Sequence, residues 1–309
     1  MPKCVDCGAE TERESMFGPR DDLRCWECVK KIQERYDPLH PQFRPTMQYP
    51  PVVLTLIVAA VGSTLLYWQR NAFPIEYMLA SSSAIWDGQV WRFLTSTLIH
   101  GNAIHLLFNL YWLWQLGKAT EEWMGSLLFA GFFVATGLGS SAAQFLTGDA
   151  GIGLSGVVFA LVGFLYALRL YKDFAAALMP PQVVKTFVAW FFLCIAVTHL
   201  GLYPIANMAH GVGALIGWLL GRAVLAPQRK MLVPGVVVFV ALLTASVYYM
   251  PWDGRYALYQ GNAAFERRDF ARALEWYRQA ARTYPDHADL RKRVDLLEQL
   301  QRMDDQRQQ

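Results

Sequence analysis

The sequence has 309 residues, 54% of them hydrophobic and only 17% charged, with a formal net charge of +3. Soluble globular domains carry about a quarter charged residues, so this balance points away from an ordinary soluble enzyme and toward a membrane protein. The net charge is small and concentrated at the two ends, which argues against nucleic acid as a partner.

Arg, Lys, Asp and Glu are dense in residues 1–48 and again after Trp252, and the stretch between is strongly apolar. Three parts follow: 1–48, 49–251 and 252–309. The N-terminus is polar and the first long apolar run begins only at Val52, so no secretory signal peptide is expected.

The first part holds Cys4-Val5-Asp6-Cys7 and Cys25-Trp26-Glu27-Cys28. Two C-x2-C pairs at this separation are the pattern of a four-thiolate zinc site. A zinc-ribbon-like domain is expected, with disulfides as the alternative. Four thiolates leave no open coordination position, so the zinc would be structural rather than catalytic. No cofactor is expected for catalysis.

Between residues 52 and 250 seven apolar runs approach the roughly 20 residues a helix needs to cross a bilayer. They are 52–68, 104–116, 126–147, 154–170, 186–202, 205–226 and 232–250. One set of alternate loops holds Lys118, then Arg169, Lys172 and Lys185, then Arg222, Arg229 and Lys230, whereas the other holds only Arg70 and Arg92. The positive-inside rule then places the N-terminus in the cytoplasm, and an odd number of spans places the C-terminus on the opposite side. The loop 69–103 is too polar to cross, yet contains Phe73, Ile85, Trp86 and Trp91. It is expected at the membrane interface, where Trp rings settle.

Polar residues inside the runs need an explanation, because lipid penalises them unless they face the bundle interior. Gly153-Leu154-Ser155-Gly156 opens the fourth run after the glycine-rich turn 148–153. A serine there is accessible, and its own N–H is a spare helix-terminal donor. Alone, the pattern more often marks a small-residue packing site.

His210 lies among Ala209, Gly213, Gly217 and Gly221, one small residue every fourth position, and Gly156, Ala160 and Gly163 form a similar stripe on the fourth run. Such stripes let helices approach closely. That approach would bring Ser155 within reach of His210, as a serine nucleophile needs a base to take its proton. His105 and Asn109 share one helix face with N–H donors for a developing oxyanion, or serve as interhelical hydrogen-bond glue.

Together these features resemble the rhomboid family of intramembrane serine proteases over roughly residues 73–225. The matching elements are Trp91-Arg92, the spacing His100-x4-His105-x3-Asn109, Gly117-x3-Glu121-x3-Gly125, Gly153-x-Ser155-Gly156, Gly163, and Ala209-His210-x2-Gly213-x3-Gly217.

The resemblance implies an all-α membrane protein with a six-helix rhomboid-like core, to which this chain adds one C-terminal span, the zinc ribbon and a helical C-terminal domain. It implies Ser155 as nucleophile and His210 as general base and acid, without an Asp. The oxyanion would be held by His105, Asn109 and the Ser155 N–H. Phe159 would pack on the catalytic imidazole, Gly153, Gly156 and His100 would support the site, and Arg92 and Glu121 would anchor loops. The implied partners are the lipid bilayer and a membrane-protein substrate. His199 is a weaker rival base, Cys194 a core residue, and His40 and His287 surface residues.

In the last part Gly261, Phe270, Ala273, Tyr277, Ala280 and Pro285 fall at the offsets of one tetratricopeptide repeat. A third helix over 289–302 would cover it through Leu290, Val294, Leu297 and Met303. One repeat buries little alone, so self-association or docking on a protein partner is expected, the alternative being a helical appendage without a ligand. Two further classes remain beside a protease: a non-cleaving rhomboid-fold adaptor that binds membrane proteins, and a small transporter with the polar residues lining its path.

Overall fold

The computed structural model describes residues 1–12, 16–17, 23–35, 49–72, 75–80, 82–148 and 151–308. His40, Phe73 and residues 149–150 of the glycine-rich turn lie outside them. The chain forms two compact units, one of Met1–Ala80 with Val90–Ala245 and one of Ser81–Gln89 with Ser246–Gln309.

The first unit begins with strands β1 (Met16–Phe17) and β2 (Arg24–Cys25), paired antiparallel with Met16 opposite Cys25. Helix α1 (Trp26–Arg35) follows directly. The membrane helices come next. Helix α2 (Pro51–Trp68) starts on a proline at its first position, where a missing N–H costs nothing.

The unit's share of the loop after α2 is not a bare interfacial strap. It folds into helix α4 (Arg92–Leu98), preceded in chain order by the short helix α3 (Ser82–Trp86). Arg92 is buried and its Nη1 donates to the Leu79 carbonyl at 3.1 Å.

The second apolar run is a composite. Helix α5 (Ala103–Trp112) passes through a wide turn at Leu113–Gly117 into α6 (Lys118–Met124). Glu121 of α6 is fully buried, and its carboxylate accepts the N–H groups of Val52 and Val53 at 3.0 and 2.9 Å. Those N–H groups are orphan donors at the positive end of α2, so an anion there satisfies both. Gly125, at φ 84, then breaks the chain between α6 and α7 (Ser126–Leu146). A side chain in that left-handed conformation is disfavoured.

The remaining helices are α8 (Ser155–Leu168), α9 (Asp173–Leu178), α10 (Pro181–His199), α11 (Asn207–Leu225) and α12 (Arg229–Ala245). Among the described residues five helical stretches are long and apolar enough to span a membrane: Pro51–Trp68, Ser126–Leu146, Pro181–His199, Asn207–Leu225 and Arg229–Tyr248. The chain is therefore a multi-pass, all-α membrane protein. Helix α10 begins five residues before the expected run, because the proline at its first position starts a helix while Lys185 interrupts the apolar count.

Helix α8 is apolar on every side and almost wholly buried, the mark of a central helix. Against it lies α11, and the two small-residue stripes interlock. A Cβ on Gly213 would strike the Gly156 carbonyl, one on Gly217 the Ala160 carbonyl, and one on Gly163 the Ala214 carbonyl.

The second unit packs α13 (Gly254–Glu266), α14 (Phe270–Thr283) and α15 (Ala288–Gln308) around Ala257, Ala273, Tyr277, Leu290 and Leu297. Gly261 lies against the Tyr277 ring, where a Cβ would come within 2.6 Å of it. Asp253 caps α13 by accepting the Arg255 and Tyr256 N–H groups. Burial would raise its carboxyl, but the hydrogen bond and charge of Arg255 outweigh this and hold it below its ordinary value.

One expectation changes here. Met303 is 51% exposed, because α15 runs past the core that Leu290 and Leu297 fill. His287 is exposed as expected, and its Nδ1 also accepts the Leu290 N–H at the start of α15.

The same unit also claims α3. Ile85 and Trp86 are buried within it rather than spread on an interface. The Trp86 indole N–H donates to the Val247 carbonyl at 2.8 Å, and its ring contacts those of Tyr256 and Tyr259 at 5.4 and 5.2 Å. The Tyr259 hydroxyl donates to Asp87 at 2.7 Å. Burial and that carboxylate push the phenol up to about 12.

Candidate functional site

Interlocking of α8 with α11 fixes where their polar side chains fall. Ser155, the first residue of α8, and His210, in the first turn of α11, meet with Oγ 2.8 Å from Nε2. His210 is buried and Ser155 half-buried. Carbonyl oxygens line the contact between the two helices, so no larger side chain fits there without parting them.

One face of the imidazole is covered by an aromatic ring. Phe159, one turn along α8, stacks on it with ring centroids 4.5 Å apart and planes 16° from parallel. The imidazole Nδ1 is buried and has no hydrogen-bond partner among the described residues. If Nε2 accepts the Ser155 proton, Nδ1 carries the ring's own. Gln144 of α7 accepts the Met208 and Ala209 N–H groups at 3.1 and 3.3 Å, capping α11 just ahead of His210.

The turn before Ser155 is pinned from the other side. Gly153 N–H donates to the Ser96 carbonyl at 3.2 Å and Leu154 N–H to His100 Nε2 at 3.3 Å. His100 is fully buried, its own N–H donates to Thr64 Oγ1, and its Nδ1 lies 3.1 Å from the Leu98 carbonyl. Gly153 has φ 103, and a Cβ there would lie 2.5 Å from the His105 ring. Glycine is thus required twice, by backbone and by space.

His105 therefore faces the turn that carries Ser155, and its ring meets that of His100 at 4.8 Å. Asn109 is buried, and its Nδ2 donates to the His105 carbonyl of its own helix at 2.9 Å, while Oδ1 has no partner among the described residues. The Ser155 N–H has no acceptor among the described residues. His199 is exposed at the end of α10 and takes no part, and Cys194 is buried in that helix.

Sequence reasoning missed Thr64, Ser96 and Gln144. Only Gln144 gave a signal, as an amide inside an otherwise apolar run.

At the N-terminus the four sulfurs of Cys4, Cys7, Cys25 and Cys28 lie within 4.8 Å of one another, and none is in a disulfide. A tetrahedral zinc with bonds of about 2.3 Å needs sulfurs about 3.8 Å apart, so the cluster fits. Cys4 Sγ also accepts the Cys25 N–H at 3.3 Å. Burial would raise the Cys4 thiol, but N–H donors from Cys25, Cys7 and Asp6 bring it down to about 6, poised to bind as thiolate.

Fold and site together define a multi-pass helical membrane protein with a hydroxyl–imidazole pair sealed between two close-packed helices. Residues 87–227 match the family model of the Rhomboid domain. Similar proteins include Rhomboid protease GlpG of Pectobacterium atrosepticum, 30% identical over 171 residues, which are 55% of this chain and 61% of that protein. That of Haemophilus influenzae is 32% identical over 117 residues, 37% of this chain and 61% of the relative. That of Yersinia pestis is 32% identical over 175 residues, 55% and 61% respectively. The chain spans about three-fifths of the length of these relatives.

Proposed function

We propose that this protein is an intramembrane serine endopeptidase that cuts transmembrane or membrane-adjacent segments of membrane proteins. The observation that carries the proposal is the 2.8 Å contact between Ser155 Oγ and His210 Nε2. Ser155 Oγ attacks the scissile carbonyl carbon as His210 takes its proton, and His210 then gives that proton to the leaving amine. Water hydrolyses the acyl-enzyme by the same relay.

The Ser155 N–H, His105 and the Asn109 amide receive the oxyanion. The Asn109 Nδ2 spends one of its two N–H donors on the His105 carbonyl, and the other serves the oxyanion. Helix α8 has 14 residues, about 21 Å at 1.5 Å per residue, against a hydrocarbon core of about 30 Å. With Arg169 at its far end, Ser155 falls below the opposite surface.

The test is cleavage of a model membrane substrate in proteoliposomes, with labelling by a fluorophosphonate. Wild type is expected to cut and to be labelled; Ser155→Ala is expected to do neither while remaining folded. Cleavage by Ser155→Ala at the wild-type rate would end the proposal. Both members of the pair are present and in contact, which favours cleavage over the adaptor reading.

We further infer three functional parts, 1–48, 49–251 and 252–309. The first holds structural zinc at Cys4, Cys7, Cys25 and Cys28. The last is a tetratricopeptide-like repeat that receives a protein partner or a second copy, supported by the close packing of Gly261 on Tyr277. The N-terminus lies in the cytoplasm and the C-terminus across an inner membrane, supported by the loop charges. Membership of α3, from the loop after the first span, in the C-terminal unit supports the same sidedness.

A further inference from the structure

Outside the Ser155 site, one feature without an assigned role is a cavity of about 380 Å³ where the N-terminal cysteine segment meets the ends of the membrane helices. It is within the size range of ligand pockets. Helix α1 packs on α9 here. Trp26 and Val29 of α1 face Met179 and Val184 across an apolar floor, and Phe17 from β1 extends it.

The charged lining is mainly cationic. Arg24, Arg169, Lys172 and Lys185 line the cavity against the single carboxylate of Asp173. Arg24 pairs with Asp6 at 3.0 Å, and the Arg169 guanidinium carbon lies over the Tyr166 ring, 3.7 Å from its centroid. Lys172 and Lys185 are exposed and form no ion pair among the described residues.

Position decides the chemistry. The lining comes from the last turn of α8, from α9 and from the first turn of α10. A bilayer places its phosphates where spanning helices end, and basic pockets at that level attract anionic headgroups. An apolar floor beneath a cationic rim matches one molecule in particular: an anion that carries a chain.

We propose that this cavity binds an anionic phospholipid of the leaflet on the N-terminal side, its phosphate between Lys172, Lys185 and Arg169 and the start of an acyl chain along Met179 and Val184. The lipid joins the cysteine segment to the membrane helices. This goes beyond the protease reading and does not depend on it; the inner leaflet follows only from the orientation proposed above.

The full-length protein, reconstituted in nanodiscs with equal phosphatidylglycerol and phosphatidylcholine, is released in the gas phase and its retained lipids are weighed. Wild type and Ser155→Ala are both expected to keep one phosphatidylglycerol, favoured about 10-fold or more over phosphatidylcholine. Lys172→Gln with Lys185→Gln, two exposed positions, is expected to lose most of that preference.

Equal retention of both lipids by wild type would overturn the proposal, and so would an unchanged preference in the double variant. Loss of the retained lipid to millimolar inorganic phosphate would also overturn it, since the site would then read a free anion. Failure of Ser155→Ala to lose cleavage would leave these results untouched, so the two claims fall separately.

Discussion

His100 Nε2 accepts the backbone N–H of Leu154 at 3.3 Å, one residue ahead of Ser155. Its Nδ1 faces the Leu98 carbonyl at 3.1 Å. A carbonyl only accepts, so Nδ1 carries the proton and Nε2 is left to receive. In the proposed reaction His100 is thus a positioning residue for the turn that carries Ser155. His100→Ala strands a buried N–H at a cost of about 1–3 kcal/mol and lets Ser155 drift. In proteoliposome kinetics kcat is expected to fall about 100-fold with little change in KM, since small misplacements are that costly. His100→Gln, which keeps an acceptor, should recover part of the loss. An unchanged kcat in His100→Ala would remove the positioning role.

In the proposed reaction the Phe159 stack takes the place of the third member that many serine hydrolases use to orient the base. With Nδ1 of His210 unpartnered, the ring plane is set by the aromatic face beneath it. Such contacts contribute about 0.5–1.5 kcal/mol. Phe159→Ala is therefore expected to lower kcat about 3- to 10-fold by freeing the imidazole, whereas Phe159→Tyr should behave like wild type. Fluorophosphonate labelling rates read the same effect directly. Equal rates for Phe159→Ala and wild type would mean that the stack does not orient the ring.

What the sequence disclosed about this fold came from periodicity. The stripes Gly156-Ala160-Gly163 and Ala209-Gly213-Gly217 recur with the helical turn, so the approach of α8 to α11 followed without knowing any contact, and with it the meeting of Ser155 and His210. Partners contributed by distant segments left no such trace. Thr64 reaches His100 from α2, and Gln144 caps α11 from α7. Ile85 and Trp86 misled because an aromatic loop beside a span has the composition of an interfacial belt. Only the tertiary structure shows that these rings fill a gap in the C-terminal unit. Glu121 was legible as an anchor, but not what it anchors: the two free N–H groups of α2.

The cysteine cluster should carry metal independently of catalysis. Its four sulfurs are already gathered, so about one zinc per chain is expected in elemental analysis of the purified protein. Cys4→Ser or Cys25→Ser should reduce that content at least 10-fold and expose the N-terminal segment to protease. Fluorophosphonate labelling of Ser155 should persist in both variants, because no cysteine of the cluster touches the site. Full zinc content in Cys4→Ser together with Cys25→Ser would rule out a four-thiolate site.

Tyr259 ties α3 into the C-terminal unit through Asp87, and that tie has a defined pH range. The phenol is raised to about 12 in the folded protein by burial and by the Asp87 carboxylate, against about 10 for an exposed tyrosine. A raised pKa means the folded state holds the proton more tightly. The contribution is therefore complete below pH about 10 and lost as pH climbs toward 12. At neutral pH, Tyr259→Phe removes one hydrogen bond, a loss of about 1 kcal/mol, and should speed amide exchange of residues 84–87 about 5-fold. Trp86→Ala removes the ring that contacts Tyr256 and Tyr259 and should have a larger effect. Exchange in 84–87 that is indifferent to both substitutions would show that neither the Tyr259 hydroxyl nor the Trp86 ring holds the loop.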